Sequence, residues 1–89
     1  MGRYIQTPKP TNKAQQMVEI YGATRLPKTP KWEDTPADKA LICVVQNDFF
    51  DAVAWAYSKD EMDAFNQPDD FRRKTWLYLD LAKTQELAK

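Results

Sequence analysis

The chain has no histidine, one cysteine and two glycines, and each shortage removes a class of chemistry. Without histidine there is no base for a nucleophilic serine or cysteine of the usual kind. One cysteine and no histidine cannot build a zinc site. Gly2 and Gly22 stand apart, so no glycine-rich loop can cradle a phosphate. Cys43 has no partner for an internal disulfide, which fits a reducing compartment. No run of 18 apolar residues is present, so no membrane span is expected. The start lacks the apolar stretch of a secretory signal. "MGRYIQT" has Gln6 where a myristoylation motif needs Ser or Thr. The expectation is a cytoplasmic protein without cofactor or metal, and not an enzyme.

What is present is enough for one small domain. In 89 residues, 43% are hydrophobic and 12% aromatic, sufficient to fold without a metal or disulfides. Net charge is zero. That argues against a general nucleic-acid binder and, by removing self-repulsion, leaves a homodimer open. The charge is segregated along the chain. Residues 1–32 carry six basic side chains and one acid, residues 33–70 ten acids and two lysines, and residues 71–89 five basic side chains and two acids. Distinct positive and negative patches on the folded surface are expected, either solvated and paired with one another or available to a partner.

Residues 3–6, "RYIQ", could form a short edge strand, and "TPKP" at 7–10 is then expected to break regular structure. In "NKAQQMVEIYG", Asn12 and Gln15 have capping-box spacing, and Ala14, Met17, Val18 and Tyr21 share one helical face. Gly22 suits the left-handed residue after a helix, so a helix is predicted over 13–21. Residues 23–38 hold three prolines and no sustained period and read as a connecting loop containing Trp32. "ALICVV" at 40–45 is unbroken and apolar, the pattern of a central strand buried on both faces.

The stretch from Asn47 to Tyr57 fits a helix or a strand equally well by period. The choice turns on residue 58. Ser58 and Glu61 form an S-x-x-E capping box, and Tyr57 and Met62 occupy the positions of a hydrophobic staple. Those devices belong at a helix start. A helix is therefore predicted from Ser58 to about Asn66, with the preceding run a strand and "QND" at 46–48 the turn of a β-hairpin. "TWLYLD" at 75–80 reads as a third strand. Asp80 is expected to cap a final helix with an apolar stripe through Leu81 and Ala88. The predicted fold is a single α+β domain with a three-stranded antiparallel sheet in the order 2-1-3 and the connectivity α-β-β-α-β-α.

Few residues suggest chemistry. "PDD" and "DEMD" supply carboxylates but not the calcium-loop pattern, which needs glycine at its sixth position. Asp48 and Asp51 flank the predicted turn, either as a carboxylate pair for acid–base work or as turn formers. Cys43 is expected to be a small buried hydrophobe. Trp32 either folds back onto the core or is a contact residue, since tryptophan is enriched at binding hot spots. With Glu33, Asp34, Asp69 and Asp70 it marks a candidate surface for a protein partner. "RRKTWLY" at 72–78 offers the alternative. Arg72, Arg73 and Lys74 lead into Trp76 and Tyr78, which would share one face of a strand. Cations with stacking aromatics hold single-stranded nucleic acid when that face is open. If the face is packed, the aromatics are core.

The "MGRYIQTP" start, "PADKALICVV" and "PDDFRRKTWLYLD" together resemble small uncharacterised proteins encoded in bacteriophage genomes. The resemblance implies an accessory factor that binds a host or phage protein, and it implies no particular site. The leading expectation is thus a non-enzymatic protein-interaction protein acting through a charged surface. A single-stranded nucleic-acid-binding module is the alternative.

Overall fold

The computed structural model describes residues 4–8, 12–46, 48–67 and 73–87. The elements in chain order are β1 (Tyr4–Pro8), α1 (Lys13–Tyr21), β2 (Thr24–Arg25), a 3-10 turn (Trp32–Asp34), β3 (Lys39–Gln46), β4 (Phe50–Ala56), α2 (Lys59–Phe65), β5 (Arg73–Asp80) and α3 (Leu81–Leu87). The strands form one sheet in the order β1-β4-β3-β5-β2, and every neighbouring pair is antiparallel.

This corrects the expected three-stranded sheet and its α-β-β-α-β-α connectivity. The sheet has four long strands and the two-residue β2, with three helices. The observed connectivity is β-α-β-β-β-α-β-α. The two additional strands are both edges. β1 pairs with β4 along its whole length, from Tyr4 opposite Ala54 to Pro8 opposite Phe50. The break expected at 7–10 does not occur at Thr7 and Pro8, and residues 9–10 lie outside the described residues. An edge strand tolerates proline where the missing N–H would face away from the ladder. β2 is too short to leave any periodic trace. It sets Thr24 and Arg25 opposite Tyr78 and Leu77, inside the stretch expected to be loop.

β3 lies between β4 and β5 and is buried on both faces, which explains its uninterrupted apolar run. Its even-numbered side chains, Ala40, Ile42 and Val44, pack with Val53 and Trp55 of β4 and Leu77 and Leu79 of β5. Ala14 and Met17 of α1 and Leu87 of α3 cover that face. The odd-numbered side chains, Leu41, Cys43 and Val45, pack with Ala52 and Ala56 of β4 and Trp76 of β5. Met62 and Phe65 of α2 cover this second face together with Leu26 and Trp32. β4 is graded to match. It offers large residues to the first face and Ala52, Ala54 and Ala56 to the second, and α2 packs against it there. Small side chains let a helix approach a sheet closely.

The helix ends follow their local chemistry. The Asn12 side chain accepts a hydrogen bond from the Gln15 N–H, and Gly22 sits at φ 73° with its N–H on the Met17 and Val18 carbonyls. Ala14 and Met17 are buried as expected, but Val18 is 39% exposed. The Ser58 side chain accepts from the Glu61 N–H, so the helix does start after Ser58, and an antiparallel strand precedes it. The Glu61 carboxylate reaches one residue further back, to the Tyr57 N–H at 3.1 Å. The Tyr57 side chain leaves the expected staple. Its hydroxyl donates to Thr84 Oγ1 at 2.6 Å, and Thr84 donates to the Leu81 carbonyl at 2.7 Å. Asp80 ends β5 in an ion pair with Lys39, instead of the cap expected for the last helix. That helix buries Thr84 and Leu87. Leu81 is 39% exposed, and Ala88 lies outside the described residues.

Candidate functional site

The α2 side of the sheet gathers most of the residues singled out in the sequence. Trp32 is half-buried and packs on the Leu41–Cys43–Val45 side of the core, while Glu33 and Asp34 beside it are exposed. A one-turn 3-10 helix holds them, closed by the Thr35 N–H on the Trp32 carbonyl at 2.9 Å. The first turn of α2 brings Asp60 and Glu61 to the same region. Lys59 reports the proximity. Its ammonium is held above the ordinary lysine range, first by the hydrogen bond to Asp63, then by the attraction of Asp63, Glu33 and Asp60, against some desolvation. Glu33 and Asp60, far apart in sequence, thus act on one cation. Acids at a helix start also suit its dipole.

The opposite end of α2 has the opposite sign. A groove of ≈ 910 Å³ opens there, lined by Arg25 of β2, Lys28 from the loop after it, Asn66 and Gln67 after α2, and Lys74 and Trp76 of β5. Among the described residues no carboxylate lines it. Trp32 of the 3-10 turn and Met62 and Phe65 of α2 pack in the same cluster as Trp76, which lines the groove.

The basic–aromatic run does not form a single platform. Residues alternate across β5, so Arg73 points to the face opposite Lys74, Trp76 and Tyr78. Trp76 is 3% exposed. The ring of Phe65 packs against it at a centroid distance of 6.1 Å and a tilt of 31°. Tyr78 is half-buried against the same cluster. Asp69, Asp70 and Arg72 lie outside the described residues.

Other candidates have structural settings. Asp48 is exposed, whereas Asp51 is fully buried and accepts a hydrogen bond from the Lys13 N–H at 2.8 Å, across 38 residues. Cys43 is buried opposite Trp76. Among the described residues no helix is long and apolar enough to cross a membrane. The sequence reading missed Arg25, Lys28, Asn66, Gln67 and Asp60 as members of a site. The cationic excess of residues 1–32 and the acidic excess of 33–70 signal the charged ones, and no charge signals Asn66 and Gln67. Comparison with protein-family models, with curated proteins and with solved structures finds no match.

Proposed function

We propose that this protein is a small non-enzymatic interaction module, of the accessory kind suggested by its resemblance to phage-encoded proteins. It engages a basic surface of a protein partner through the acidic end of α2. The observation that carries the reading is the placement of exposed Glu33 and Asp34 beside Trp32, which packs in one cluster with Met62 of α2, and of exposed Asp60 in the first turn of that helix. Complementary charge steers encounter and selects partners more than it adds raw affinity, so the contact is salt-sensitive. The double substitution Glu33→Lys with Asp34→Lys tests it in an affinity capture from native host cells. Proteins held by the wild type and released by salt should be missing from the variant. Identical captures by the two proteins would overturn the reading.

A second reading, single-stranded nucleic acid held by Arg73, Lys74, Trp76 and Tyr78, draws support from the cationic groove. It is the weaker one because Phe65 occupies the packing surface of Trp76, and a stacking platform must be open to the base.

A further inference from the structure

We propose that the α2 face docks a second copy of this chain, the acidic end of one copy meeting the cationic groove of the other about a two-fold axis. The inference rests on the reading of the acidic end as a contact surface, and it names the class of partner.

An isologous contact uses the same patch on both copies, so the patch must be complementary to itself. A patch of uniform charge fails that condition. This one meets it, because its two poles have opposite sign and sit side by side. Glu33 and Asp34 are exposed in the 3-10 turn, and Asp60 is exposed in the first turn of α2. Lys28 and Lys74 line the groove that starts at Asn66. Asn66, the residue after α2, follows Asp60 by six positions, roughly 9 Å at the usual rise of about 1.5 Å per residue. A two-fold axis through the middle of α2 therefore brings each negative pole over the other copy's groove and makes the same contact twice. Zero net charge means the copies carry no overall repulsion to overcome. The groove also discriminates between anions. Its aromatic residue, Trp76, is almost fully buried, so the lining offers charge and carboxamide hydrogen bonds without an open stacking surface. That favours carboxylates over nucleotides.

Analytical ultracentrifugation of the full chain with two charge reversals, Lys28→Glu in the groove and Glu33→Lys at the acidic end, is the test. Both positions are exposed, so the variants should stay folded, and circular dichroism checks this. Wild type should sediment at about twice its 10.4 kDa at high protein concentration and low salt. It should fall to the monomer near 1 M salt, where charges are screened beyond about 3 Å. Each variant alone should associate at least tenfold more weakly. An equimolar mixture should recover the dimer. The unaltered Glu33 of the Lys28→Glu protein then meets the unaltered Lys28 of the Glu33→Lys protein, and the two substituted side chains meet each other with opposite charge. A wild type that stays monomeric at low salt, a dimer indifferent to salt, or variants whose mixture does no better than either alone would each overturn the proposal. The capture experiment separates this failure from failure of the broader reading. A different partner would still be lost with the Glu33→Lys, Asp34→Lys protein and still be held by Lys28→Glu.

Discussion

The carboxylate of Asp51, buried in β4, accepts a 2.8 Å hydrogen bond from the backbone N–H of Lys13 at the start of α1. The N–H groups of a first helical turn have no partner within the helix, and the dipole there favours negative charge. The bond fastens α1 to the sheet end where β1, β4 and β3 meet, since Asp51 is opposite Thr7 and Gln46. Asp51→Asn keeps the size but weakens a charge-assisted bond. It should lower the stability measured by urea denaturation by about 1.5–3 kcal/mol. A wild-type midpoint would show that the contact is incidental.

Ser58 makes a smaller contribution at the start of α2. Ser58→Ala should cost about 1 kcal/mol, and backbone chemical shifts should remain extended over 50–56 and helical over 59–65. Continuous helical shifts from residue 50 to 65 would contradict the fold.

Trp76 is the largest side chain inside the α2 face. Trp76→Ala should cost about 3–5 kcal/mol, the usual range for losing a buried aromatic of this size, whereas Trp76→Phe should retain much of the contact with Phe65. Thermal melting decides it. A Trp76→Ala protein that melts like wild type and loses affinity for an oligonucleotide would favour the nucleic-acid reading.

Cys43, beneath the same helix, should react with a thiol reagent only as fast as the sheet opens. Prompt labelling of the native protein would be incompatible with a central β3.

Legibility followed the strength of the local code. The cap of α1 at Asn12 and Gly22, the unbroken run of β3 and the start of α2 at Ser58 all rest on devices a few residues long. The end of β1 is signalled only by its prolines, and whether Pro8 ends a strand depends on whether the strand is an edge, which its own residues do not say. β2 exists only because β5 has an open side at Leu77 and Tyr78. Tyr57 had two satisfactory uses, a staple on Met62 or a hydroxyl contact, and Thr84, 27 residues away, decided between them. The candidate site was legible as charge blocks and illegible as geometry. Arg25 and Lys28 meet Lys74 only after β2 pairs with β5, a long-range event. The acidic block was visible, but Asp60 joins Glu33 only when the 3-10 turn folds over the sheet.

The proposed contact uses the α2 side of the sheet, at the two charged poles. The most direct measurement is a concentration series of amide spectra of the labelled protein at low salt. The account predicts that shifts move with concentration at Arg25, Lys28, Glu33, Asp34, Asp60 and Asn66 and return to their starting values when salt is added. Movement confined to the exposed Val18 and Ile20 of α1, or no movement at any concentration, would contradict it.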